Sequence, residues 1–269
     1  QNRVGAVYTM RLSCGAVAFL LLANCVCLSA AVTRDYYISA EELAWDYAPS
    51  GVNRCTGETL GKDIQNHNAS RIFTVSGIGK VYRKAVFRGY TNKLFEVLSD
   101  HPRHLGVLGP QLEAHPGDVV RVTLRNRLDF DISITIPGPL HARQDVHAVT
   151  QPGGTSTYHW EVPRALFAKQ PAGHSQAFLY RSNVAPTEHD NAGLLGALVI
   201  KGESKTSFRD IVTILQVIDE NSSPFIHKNV EIYGTGGLAG NDFEESNLMH
   251  AVNGRVYCNL DGLEFSVGD

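Results

Sequence analysis

A chain of 269 residues can form one large domain or two small ones, and 43% hydrophobic against 19% charged residues is the composition of a soluble globular protein. With 24 basic and 27 acidic residues the formal charge is −3, which gives no electrostatic reason to expect nucleic acid or an anionic membrane surface as partner.

Gln1 is not a natural start, so residues 1–9 read as a non-native leader. From Met10 the text is that of a secretory signal over 10–31: Arg11, an apolar run from Gly15 to Leu28 broken only by Asn24, then Ser29, Ala30 and Ala31. The run is shorter than the ~20 residues needed to span a bilayer. Cleavage after Ala30 or Ala31 removes Cys14, Cys25 and Cys27 and leaves Cys55 and Cys258, whose pairing the sequence leaves open. Strand signals follow. Tyr36-Tyr37-Ile38 and Trp45-Asp46-Tyr47 mark an opening strand closed by an acidic turn. Val120, Val122 and Leu124 alternate with Arg121, Thr123 and Arg125, the period of a half-buried strand. Ile132, Ile134 and Ile136 alternate with Ser133 and Thr135 in the same way, and Tyr158, Trp160 and Val162 with Thr157, His159 and Glu161. Leu194 to Ile200 is a continuous apolar run suited to a strand buried on both faces. Pro116-Gly117-Asp118, Pro152-Gly153-Gly154 and Pro171-Ala172-Gly173 punctuate these runs as turns. Many short strands between Gly/Pro turns predict an all-β antiparallel sandwich or barrel, with no helical stretch of comparable strength.

A second unit opens near Phe208, where Asp210 to Ile218 predicts a buried strand followed by Asp219-Glu220-Asn221, as the first unit opened with its own strand and acidic turn. Gly117-Asp118 likewise recurs as Gly268-Asp269, where the chain reads as cut in mid strand-turn. Two sequons, Asn68-Ala69-Ser70 and Asn221-Ser222-Ser223, suit a secreted glycoprotein; Asn68 is the better placed, since Pro224 follows the second.

Three segments in order, QPGGTSTYHWEVP from Gln151, AFLYRSNVAP from Ala177 and AGLLGALVI from Ala192, carry a stronger signal. With YYISAEELAWDYAP, YRKAVFRGYTNKLF, LGVLGPQLEAHPGDVVRVTLRN, VIDENSS and ESNLMHAVNG, they resemble the cupredoxin domains of the multicopper oxidase group that contains ceruloplasmin, hephaestin and coagulation factors V and VIII. The resemblance covers about Asp35 to Asp269 and implies tandem cupredoxin (plastocyanin-like) Greek-key sandwiches. The first copy is then 32–205, and 206–269 is the truncated start of a second.

What the resemblance implies about chemistry is a copper oxidase whose first domain supplies His-x-His-Gly and His-x-His to a trinuclear cluster that reduces dioxygen. Laid on those motifs, this chain reads Thr135-Ile136-Pro137-Gly138 and Arg181-Ser182-Asn183. Thr135 and Pro137 offer no competent nitrogen, Arg181 carries a permanent positive charge, and Asn183 is no substitute for imidazole. The late-strand disulfide that the family often carries falls on Ser175 and Lys201, so both partners are gone together. The signal peptide makes this the first copy, where ligands should be, so no catalytic, cofactor or metal residue is expected here. A site rebuilt from His141, His147 and His189 is conceivable, but these, like His67, His101, His104, His115 and His174, read as solvated loop histidines; Gln144-Asp145, where the family can bind calcium, offers one carboxylate only. Two functions follow. One is the N-terminal fragment of a secreted hephaestin- or ceruloplasmin-like (ferr)oxidase whose copper lies in later domains. The other is a non-enzymatic extracellular scaffold of the factor V/VIII kind. In either case the partners are the remaining cupredoxin domains of the same protein, without nucleic acid or membrane contact from this segment. A stand-alone copper carrier is disfavoured because no mature cysteine lies in the ligand loop.

Overall fold

The computed structural model describes residues 31–60, 77–143, 148–167, 173–202, 210–234 and 240–266, and from Val32 onward they form one unit. The predicted signal segment, Asn68, His67, Gln144, Asp145 and His147, and the Gly268-Asp269 turn lie outside the described residues.

Among the described residues twelve strands carry the fold: β1 (Thr33–Asp46), β2 (Val52–Asn53), β3 (Glu58–Thr59), β4 (Val81–Tyr90), β5 (Leu112–Ala114), β6 (Val119–Asn126), β7 (His141–Arg143), β8 (Thr155–Glu161), β9 (Ser175–Arg181), β10 (Leu195–Lys201), β11 (Leu215–Asp219) and β12 (Leu248–Val252). They build a five-stranded sheet ordered β4-β1-β6-β8-β7 and a three-stranded sheet ordered β5-β10-β9. Their inner faces meet in one core that includes Ile38, Phe87, Val120, Val122, Leu124, Trp160, Tyr180, Leu198 and Ile200. Burying an aliphatic or aromatic side chain of this size contributes about 1.5–3 kcal/mol, so this face-to-face contact dominates the stability. The alternation read in β6 and β8 places its apolar residues inward, and β10 is buried along its whole apolar run.

Three expectations need correction. The sheets are not wholly antiparallel: β1 pairs with β6, and β10 with β5, in parallel. Long excursions separate each of these pairs in sequence, which is what a parallel pairing requires. The stretch Ile132–Ile136 is no continuous strand; its isoleucines are buried, but its ladder pairing is limited to isolated bridges, Ile132 with Thr150 and Thr135 with Arg181. Asp210–Ile218 is strand only from Leu215, and Leu215 and Val217 are 76% and 50% exposed. Short helices also appear, α1 (Pro186–Ala192), α2 (Ile226–Tyr233) and α3 (Asn241–Ser246).

The opening hairpin recurs. β1 pairs antiparallel with β4, setting Asp46 opposite Val81, and β11 pairs antiparallel with β12, setting Asp219 opposite Leu248. Each strand ends in the same local turn: Asp46 Oδ1 accepts from the Ala48 N–H at 3.0 Å and Asp219 Oδ1 from the Asn221 N–H at 3.0 Å. A second apolar cluster joins the two hairpins, combining Tyr47, Ala48, Ile78 and Tyr82 with Ile218, Met249, Ala251 and Val256. The approach is close enough that a Cβ on Gly106 would lie 2.1 Å from the Asn253 carbonyl oxygen. Gly106 also sits at φ +57°, so glycine is required there twice over. Cys55 and Cys258 form a disulfide across the same seam.

Candidate functional site

The two ligand motifs, far apart in sequence, lie side by side. Thr135 and Arg181 exchange backbone hydrogen bonds, N–H of Thr135 to the Arg181 carbonyl at 2.8 Å and N–H of Arg181 to the Thr135 carbonyl at 3.0 Å. One turn on, the Asn183 N–H donates to Ser133 Oγ at 3.0 Å and the Ser133 N–H to Ser182 Oγ at 3.2 Å. The positions Thr135, Pro137, Arg181 and Asn183 therefore belong to one end of the sandwich, as paired ligand segments would. Gly138, the glycine of the motif, has φ +146° and a Cβ there would come within 3.0 Å of the Phe178 ring.

The chemistry of that end is not a metal's. Arg181 reaches Asp190 of α1 with Nη1 2.6 Å from Oδ2, so the cation already has its carboxylate. Burial raises the Asp190 carboxyl, partly offset by Arg181. Pro137 and Asn183 are exposed and Thr135 half-buried, giving hydroxyl, amide and guanidinium where imidazole would be needed. This donor set does not fit copper. Among the described residues no three His, Cys, Asp or Glu side chains gather in a way that could hold a metal ion.

α1 organises the rest. Pro186 opens it and Gly193, in the left-handed conformation, ends it, the usual punctuation of a short helix. Three consecutive residues then hold four partners. His189 Nδ1 lies 2.8 Å from Ser182 Oγ, Asp190 takes Arg181, and Asn191 accepts from the Asp219 N–H at 2.9 Å through its side chain and from Lys84 Nζ at 2.7 Å through its carbonyl. His189 is 4% exposed with its ring against Phe130, centroids 5.0 Å apart, and burial lowers its pKa. It is thus a packed core histidine rather than a solvated one, and the buried His104 corrects the same reading. His141 is exposed on β7, opposite Glu161.

Two further positions behave as the resemblance implies. Ser175 and Lys201 stand directly opposite each other in the β9–β10 register, where a disulfide would sit; Lys201 instead bridges Glu113 at 2.8 Å and Asp210 at 3.3 Å. The Asn221 amide is fully engaged: Nδ2 donates to Asp219 Oδ1 at 2.8 Å and to the Glu244 carbonyl at 2.9 Å, while Oδ1 accepts from Asn247 at 2.9 Å. A glycan on Asn221 would replace one Nδ2 hydrogen and so break one of the two bonds that Nδ2 donates.

Sequence reasoning passed over a buried polar group at the seam. Lys84 and Glu220, both 0% exposed, form an ion pair, and the Tyr47 hydroxyl donates to the same Glu220 Oε1. The one signal is a lysine inside VYRKAVFRGY, a strand otherwise buried through its middle; Glu220 is hidden in a triplet that reads as an acidic turn.

A family model described as multicopper oxidase matches residues 105–205. Ceruloplasmin of Rattus norvegicus is 33% identical over 270 residues, covering 88% of this chain and 25% of that protein. Hephaestin of Mus musculus is 32% identical over 257 residues, 88% and 22%, and ceruloplasmin of Homo sapiens 32% over 275 residues, 88% and 25%. The chain spans about a quarter of the length of these relatives.

Proposed function

The chain belongs to the multicopper oxidase family, with ceruloplasmin and hephaestin among its relatives, and on that premise we propose that residues 32–205 are a cupredoxin copy without copper, a non-catalytic piece of a secreted ceruloplasmin- or hephaestin-like (ferr)oxidase. The observation that carries this reading is the Arg181–Asp190 ion pair at the end where the two ligand motifs meet. A guanidinium held there by a carboxylate repels a divalent cation and offers no lone pair to it. Copper, the family's cofactor, would then reside in other copies of the same protein, which are also the partners this copy packs against. Residues 206–269 are, in the same proposal, the start of the next copy; the repeated hairpin and its repeated Asp turn support that boundary. Secretion through residues 10–31 and a glycan on Asn68 belong to it as well.

The alternative, an extracellular scaffold of the factor V/VIII kind, is favoured by the lock that His189, Asp190 and Asn191 build, which stiffens this end without leaving room for chemistry. Metal analysis of the protein secreted from copper-supplemented cells tests the shared claim. The expected copper content of the chain is far below one equivalent. Stoichiometric copper that is lost in His141→Ala with His147→Ala would overturn it.

A further inference from the structure

The sandwich has an open seam. β4 joins β1 only from the Tyr37–Tyr90 pair onward, so Thr33–Tyr36 pair with Val119–Val122 of β6 on one side and with no described strand on the other. In the second sheet β5 is one of the two edge strands. The Tyr36 hydroxyl donates to the Glu113 carbonyl at 2.5 Å and accepts from the Glu113 N–H at 2.9 Å. One side chain thus does for a single residue what a neighbouring strand would do for several. A cavity of about 650 Å³ lies along these edges, with Asp35, Tyr36, Tyr90, Asp100, Glu113 and Asp210 among its lining residues.

The charge of this lining has one sign. Asp35, Asp100, Glu113 and Asp210 face it together with His104, and neither lysine nor arginine does. Arg121 pairs with Asp35, and Lys201 is shared between Glu113 and Asp210, so the carboxylates outnumber the cations that answer them. Asp100 stands exposed at the rim. Tyr36, Tyr37 and Tyr90 supply aromatic surface beside the carboxylates.

We propose that this seam receives an extended, basic segment of a partner protein, which adds as a short strand to Thr33–Tyr36. A strand edge offers main-chain hydrogen bonds to such a segment, and its side chains alternate, so every second one enters the cavity. A lysine or arginine there lays its aliphatic stem on the tyrosine rings and carries its charge to the carboxylates. An acidic segment meets the same edge with like charge and is rejected.

Fluorescence anisotropy with a labelled eight-residue peptide alternating lysine and valine, and with its glutamate–valine counterpart, tests this on the whole chain. The lysine peptide binds, weakens with added salt, and slows amide hydrogen exchange at Thr33–Tyr36; the glutamate peptide does none of these. Asp100→Lys, an exposed change that spares the fold, lowers the affinity roughly tenfold, as the loss of one favourable charge contact would. Gln111→Arg, at a lining residue beside Glu113, does the same. Equal binding of both peptides, binding without protection at Thr33–Tyr36, or no binding at all overturns the proposal. Protection of the same amides by self-association without peptide overturns it too, assigning the edge to a second copy.

Discussion

Lys84 and Glu220 are a lysine and a glutamate with no exposed surface, one from β4 and one from the turn after β11, and their surroundings decide what each is worth. Burial pulls the Lys84 pKa down while Glu220 pushes it back up; burial followed by the same carboxylate drives the Tyr47 hydroxyl well above its usual range. Tyr82, raised by the same causes, donates to Asn247 at 2.7 Å. Removing one member of a buried pair strands the other, at a cost of about 3–5 kcal/mol, whereas replacing both with apolar groups of similar volume is often neutral. Glu220→Gln is therefore expected to destabilise the chain by about 3–5 kcal/mol in urea unfolding, and Lys84→Met combined with Glu220→Leu by much less. A double variant as unstable as the single one would show that the ion pair is not the reason Glu220 matters.

Among elements, α1 shows where sequence and structure part. β6, β8 and β10 were readable because their alternating or continuous apolar residues are what a sheet face selects. That the two ligand segments lie together was implied by the family resemblance alone and not by their own residues. The α1 sequence PTEHDNA has no apolar stripe, so apart from its opening Pro186 and the Gly193 that follows, nothing announces a helix, and nothing announces a buried histidine. The β11 stretch failed for the reverse reason: its apolar residues promise burial that the described chain does not provide at Leu215 and Val217. The His189 ring carries a prediction. Its folded pKa lies below the ordinary value of 6.5, lowered by burial and only partly restored by Glu188, so the unfolded chain takes up the proton first. Its contribution is intact above pH 6.5 and is lost as pH falls below it, towards the lowered folded value. Thermal melts between pH 8 and pH 5 are expected to show a drop in Tm that His189→Gln flattens, the neutral amide having no proton to gain. An unchanged slope in the variant would place the pH dependence elsewhere, and not at Asp190, whose raised carboxyl favours the folded state as pH falls.

At the scale of the molecule, residues up to 202 and residues from 210 onward are held together by the second apolar cluster, the Lys84–Glu220 pair, and the Cys55–Cys258 disulfide. The two cysteines are 203 residues apart, and closing so long a loop removes much freedom from the unfolded chain. Cys55→Ser with Cys258→Ser is expected to lower stability by about 2–5 kcal/mol while leaving a single cooperative transition, because the noncovalent contacts of the seam remain. Two separated calorimetric transitions would contradict that. If residues 206–269 open a further copy in a series, as proposed, the Tyr47–Tyr82–Met249 contacts set its first two strands against the copy before it. Each copy in such an array would lend its first two strands to its predecessor as a lid. A copy ending at its own sequence boundary would be born with a wet lysine and two bare tyrosines, waiting for a neighbour to be translated.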